Sequence, residues 1–190
     1  MVDRSNLHDA AHMRVLAHPT RLRLLGLLRE LGPRTAAQLS EHIDEAPGTL
    51  SYHLTKLAGA GLIEEAPESG RDRRERWWRA KHLETVWDES EVARDPEKLG
   101  ALREMAAAIS RVYAQQYDEY LASTPTLPEE WVSAGTSSDR RWRLSADQLW
   151  ELRDELAQLD RKWARISDDH RTDDGSEEVF FLVQAYRRPR

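Results

Sequence analysis

The chain is 190 residues long, 39% hydrophobic and 33% charged, with a net charge of −6 and no cysteine. Such a length fits one large or two small domains, and the missing thiols exclude disulfides, zinc ribbons, thiol catalysis and thiolate metal sensing. No apolar run approaches the ~18–20 residues that span a bilayer, and the N-terminal MVDRSNLHDA lacks the apolar core of a secretory signal. The expectation is a cytoplasmic protein of bacterial type, without a membrane partner.

The first elements are short helices. Leu7, Ala11 and Val15 recur every four residues and predict a modest helix ending near His18-Pro19. Proline favours the first helical position, so a second helix starts there, with Leu24, Leu25, Leu28 and Leu31 as its buried stripe and Gly32-Pro33 as its stop. Thr35 and Gln38 have capping-box spacing and open a third helix with Ala36, Leu39 and Ile43 inward. Pro47 opens a fourth, whose Leu50, Leu54 and Leu57 form one apolar face up to Ala60-Gly61. Two helices so closely joined predict a helix-turn-helix. Residues 62–65 and 74–79 flank a Pro- and Gly-containing turn and predict a hairpin. A helix-turn-helix followed by a basic hairpin is a winged helix.

Residues 83–95 read as a connector, and Asp95-Pro96-Glu97 as a strong helix start. That helix runs to about Leu121, with Leu99, Leu102, Met105 or Ala106, Ile109, Val112 or Tyr113, Tyr117 and Tyr120 along one side, and Thr124 to Pro128 breaks it. A second capping box, Ser145 with Gln148, opens a helix whose Leu149, Leu152, Leu156, Leu159, Trp163 and Ile166 are spaced for packing on another helix. Glu178 to Tyr186 is the most strand-like run in the chain, and Arg140 to Leu144 a weaker candidate partner. The expected architecture is mainly α (α+β): a winged domain over 1–82, a connector and dimerisation helix over 83–122, and a strand–helix–strand module over 123–190.

Charge is unevenly placed. Residues 1–82 carry 13 Lys+Arg against 11 Asp+Glu, and residues 83–190 carry 15 against 23. Basic residues crowd into 71–81, where Arg71, Arg73, Arg74, Arg76, Arg79 and Lys81 face only Asp72 and Glu75. Local charge is what a phosphate backbone feels.

The segment from Leu16 to Leu25, reading LAHPTRLRLL, resembles the second-helix signature of ArsR/SmtB-type winged-helix transcriptional regulators. Leu50 to Leu57, with Gly61-Leu62-Ile63, is similar to their recognition helix running into the wing. The resemblance covers roughly residues 8–80. It implies a homodimer on operator DNA, with the second motif helix in the major groove and the wing alongside. Founding members hold metal with Cys or paired His and Asp. This chain has no Cys, and its long helix has no His, so metal sensing is not expected.

With the leucines of the fourth helix inward, Gly48, Thr49, Ser51, Tyr52, Thr55 and Lys56 face outward with no acid among them. Hydroxyls can read base edges or phosphates, Tyr52 can touch a thymine methyl, and Lys56 suits phosphate. Arg71, Arg73, Arg74 and Arg76 are expected on the flanking backbone, and Arg34, Thr35 and Gln38 complete the expected DNA-contacting set. Dimerisation is assigned to Leu102, Met105, Ile109, Tyr113, Tyr117 and Tyr120. Trp131, Trp142, Trp150 and Trp163 either form core or line a pocket for a small organic effector.

His8 and His12 echo a zincin pair but lack a third ligand. No catalytic triad, phosphate loop or dinucleotide fingerprint occurs, so neither an enzyme nor a metal or other cofactor is expected. The reading is a homodimeric DNA-binding transcriptional regulator, a repressor on a palindromic operator. Its alternatives are a sensor of small hydrophobic ligands through the C-terminal tryptophans, and a winged-helix interaction module without sequence-specific DNA binding.

Overall fold

The computed structural model describes residues 4–7, 9–69, 75–170 and 174–188, and the chain divides into two units, Met1–Val132 and Ser133–Arg190. The first unit opens with β1 (Arg4–Asn6), α1 (Ala10–Leu16) and α2 (Pro19–Glu30). Asp9 caps α1 by accepting from the Ala11 amide at 2.9 Å, and that cap sets the helix phase. The buried side is therefore Ala10, Met13 and Leu16, while Ala11 is exposed and Val15 half-buried, contrary to the expected Leu7/Ala11/Val15 stripe. Leu7 is buried but precedes the helix. Pro19 sits in the first turn of α2, and Leu24, Leu25 and Leu28 are buried as expected.

Next come β2 (Arg34–Thr35), α3 (Ala36–Leu39) and α4 (Pro47–Gly59). The capping box at α3 is formed in full: the Thr35 hydroxyl accepts from the Gln38 amide, and the Gln38 side chain accepts from the Thr35 amide. At the end of α4, Gly61 has φ +67°. The Leu62 amide then donates to the Leu57 carbonyl at 3.1 Å and the Gly61 amide to Ala58 at 2.9 Å. This Schellman stop needs a left-handed residue, and it turns the chain directly into β3 (Ile63–Glu65).

β3 pairs antiparallel with β4 (Trp77–Ala80), which pairs on its other edge with β2 to give the order β2-β4-β3. Helix-turn-helix, hairpin and short third strand make a winged helix. Alternation along β4 buries Trp78 at 3% exposure and leaves Trp77 partly covered, so one indole joins the core as expected. The stretch read as a connector contains β5 (Glu84–Val86), parallel to β1, and α5 (Glu89–Val92). A strand of three residues whose partner lies at the opposite end of the domain leaves no local periodicity to read.

α6 (Pro96–Ser123) is capped by Asp95 and packs on α1 and α2. Its buried stripe is Ala101, Met105, Ala108 and Val112. Met105 is fully buried in the unit's own core, so this member of the expected dimer face has no surface to offer a second copy. Leu102, Ile109 and Tyr113 are half-buried beside that stripe, and Tyr117 and Tyr120 are exposed. A turn at 124–127 ends the helix, and α7 (Glu129–Ala134) follows.

In the second unit, α8 (Ala146–Asp168) starts at the expected Ser145/Gln148 capping box. The expected flanking strands are not formed: neither 140–144 nor 178–186 lies in a strand. Strand propensity records how well a side chain fits a pleated, half-buried surface. It makes a strand only where a second backbone completes the ladder. None of this unit's described residues is buried.

Candidate nucleic-acid interface

α4 positions the site. Leu50, Leu54 and Leu57 are fully buried and anchor one side, and Gly48, Thr49, Ser51, Tyr52, Thr55 and Lys56 are all exposed on the other. Tyr52 stands 59% exposed with the Lys56 ammonium 5.5 Å from its ring centroid. Thr55 donates its hydroxyl to the Ser51 carbonyl at 2.8 Å, which leaves that oxygen able to accept. The face is a row of hydroxyls, one phenol and one cation without a carboxylate.

A polar cluster unread in the sequence braces this helix from beneath. His53, on the buried side of α4, lies with its ring centroid 4.5 Å from that of His18, and the edge of Tyr52 approaches it at 5.3 Å. Its Nε2 is 3.8 Å from a Glu45 carboxylate oxygen, and Glu45 in turn accepts from the Thr20 hydroxyl. Burial pushes the His53 pKa below its ordinary value, the neighbouring His18 and Arg21 push the same way, and Glu45 opposes them. Burial thus favours the neutral imidazole over the charged one. Residues 18, 20, 45 and 53 come together only through the packing of α2 against α4, so no spacing in the sequence announces them.

The other expected contacts divide. The Thr35 hydroxyl is spent on its cap and the residue is 6% exposed, which removes it from the exposed set. Gln38 uses its side-chain oxygen in the same cap but keeps its amide donors, and Arg34 donates to the Pro33 carbonyl at 2.8 Å. On the wing, Arg76 pairs with Glu65 and lies 4.6 Å from the centroid of Trp78. Arg79 pairs with Glu64 at 2.8 Å and Glu68 at 2.5 Å, and the Glu64 bond first, then Glu68, raises its pKa. The hairpin's own acids thus balance part of the charge that the sequence suggested was available. Arg71, Arg73 and Arg74 lie outside the described residues.

Elsewhere, the expected tryptophans fall in both units. A groove of about 250 Å³ is lined by Trp142, Leu144, Gln148, Glu151, Leu152 and Glu155. Trp150 and Trp163 are 59% and 56% exposed, with Arg153 and Lys162 respectively over their rings. Trp131 belongs to the first unit. His8 lies outside the described residues, and among the described residues no three His, Asp or Glu side chains gather as metal ligands. Nor, among them, is any helix long and apolar enough to cross a membrane.

Residues 16–66 match the model of a family described as a helix-turn-helix domain. No curated protein matches this chain. Among solved structures it is similar to a "Possible transcriptional regulator for arsenical resistance", 28% identical over 56% of this chain and 94% of that one, with a TM-score of 0.32. It is also similar to a double mutant of ZitR from Lactococcus lactis, 16% identical over 77% of this chain and 75% of that one, again with a TM-score of 0.32. The geometry of α3 and α4 and the family match coincide on the same residues: over 16–66 this chain carries a helix-turn-helix domain.

Proposed function

We propose that the protein is a homodimeric DNA-binding transcriptional regulator, acting as a repressor on a palindromic operator. One observation carries this reading: an exposed helix face free of acid, on an acidic protein, in the second helix of a matched helix-turn-helix domain. An ordinary solvated face in a chain with 34 Asp+Glu would carry carboxylates, and phosphate repels them. In this reading Thr49, Ser51 and Tyr52 meet base edges in the major groove, Lys56 and the wing arginines meet phosphate, and no catalysis is involved. Wing pairs such as Arg76–Glu65 are exposed and cheap to exchange, so a phosphate can replace the carboxylate.

Selection of bound DNA from a random pool tests the reading. Enrichment of a palindrome with half-sites about one helical turn apart, ~10 bp centre to centre, is the expected result. No enrichment would leave a winged-helix interaction module instead. A second reading, an organic effector, is supported by the groove beside Trp142. Its mark would be a ligand that quenches tryptophan emission and releases DNA in the parent but not in Trp142→Phe.

A further inference from the structure

We infer that residues 177–188 pair antiparallel with the same residues of a second copy, building a two-stranded ribbon across the dimer axis. The inference rests on reading the chain as a homodimer and deepens it by naming an interface. Val179, Phe181, Leu182, Val183 and Tyr186 are between 44% and 73% exposed, in a run outside any helix or strand. Exposed apolar and aromatic residues of this type suit the pleated surface of a strand. The unit that contains it buries none of its described residues, and a unit of 58 residues without a core cannot offset its chain entropy alone.

The charges at the two ends of the run select the partner and the direction. Glu177 and Glu178 precede the apolar residues, and Arg187 and Arg188 follow them. Parallel pairing in register would set glutamate on glutamate and arginine on arginine. Antiparallel pairing brings the acidic end of each strand to the basic end of the other, and like charges directly opposite are the costly arrangement. A two-fold axis normal to the ribbon keeps every residue on its own face, so facing residues differ by an even number. Centred on Leu182, the register joins Glu177 to the partner subunit's Arg187, Val179 to the partner subunit's Ala185 and Phe181 to the partner subunit's Val183. One face of the ribbon is then wholly apolar between two ion pairs. A two-stranded ribbon is marginal by itself, and α8 in the same unit offers the matching surface, with Leu159, Trp163 and Ile166 at 41%, 56% and 37% exposure.

The native chain has no cysteine, so a single introduced thiol reports the register in the full-length protein. In Leu182→Cys the two thiols face each other at a Cα separation of about 4.5–5.5 Å, within disulfide reach. In Val179→Cys they are offset by six residues, about 20 Å, and out of reach. Mild oxidation at micromolar protein without DNA is expected to cross-link the first variant and not the second. Cross-linking of both, or of neither, overturns the inference. Independently, Glu177→Arg or Arg187→Glu alone should weaken the dimer about 10-fold in sedimentation, through two symmetric pairs, and the double reversal should restore it. Reversals that leave the dimer unchanged also overturn it. A parent that enriches a palindrome while Leu182→Cys stays uncross-linked sinks the ribbon alone. A parent that enriches no DNA while Leu182→Cys cross-links sinks the operator reading and sustains the ribbon.

Discussion

Thr49, Ser51 and Tyr52 project from the first turns of α4, whose outward residues include no acid, and their short or planar groups suit base edges. Replacing one with Ala should cost about 1–3 kcal/mol on the selected operator and relax preference at particular base pairs. Arg73→Ala or Arg74→Ala should instead weaken specific and scrambled DNA alike and lower the salt slope by about 0.9 per lost phosphate contact. Titrations of both DNAs across a salt series separate the two classes. Parent-like binding by all three α4 variants would remove this helix as the reader. Beneath them, His53 sets a pH dependence. The folded protein holds it below its ordinary value of 6.5, so the unfolded chain takes up this proton more readily. Stability should therefore fall as pH drops through about 6.5, and this contribution is fully lost once the pH lies below the folded value. Urea unfolding between pH 8 and pH 5 should show a shallower decline in His53→Gln than in the parent. Equal slopes would mean that this imidazole is not responsible.

Among the elements, α2 and α4 show how the same chemical change can act with opposite sign. Gly61 follows the helix at φ +67°, with open space where a Cβ would sit, so Gly61→Ala meets no clash but must hold a left-handed backbone. That should destabilise by about 1–2 kcal/mol. Gly26, in the middle of α2, also has open space around it and an ordinary helical φ. Gly26→Ala should stabilise by up to about 1 kcal/mol through helix propensity. Denaturant midpoints of the two variants should move in opposite directions. Both capping boxes, the Pro47 and Pro96 helix starts and the leucine stripe of α4 were legible because cap, turn and period are local chemistry. The short pair β1–β5 was not, because its register joins Arg4 to Glu84 and nothing within either segment encodes the other. The 178–186 run shows the reverse failure: its residues suit a strand, but the chain supplies no second backbone.

For the whole molecule, α6 spends Met105 on its own core yet leaves Tyr117 and Tyr120 at 46% and 36% exposure, stacked with centroids 6.0 Å apart. Tyr117→Glu should raise the dimer dissociation constant without loss of helix by circular dichroism, and an unchanged constant would take Tyr117 out of the interface. A chain without thiols should also keep its operator in the presence of oxidants, thiol reagents or thiophilic metals. Release by micromolar arsenite or Cd(II) from a protein that stays folded would contradict that expectation.

The sequence by itself determined the helix-turn-helix, its acid-free outward face and the starts of α2, α3, α4, α6 and α8, since each follows from side-chain period and cap chemistry within about ten neighbouring residues. Only the tertiary structure decided which side of α1 and α6 turns inward, that Arg76 and Arg79 are met by Glu65, Glu64 and Glu68, and that His18, Thr20, Glu45 and His53 form one cluster. These outcomes depend on groups far apart in the chain arriving at the same place. Burial and pairing are properties of that meeting, and no single segment contains them.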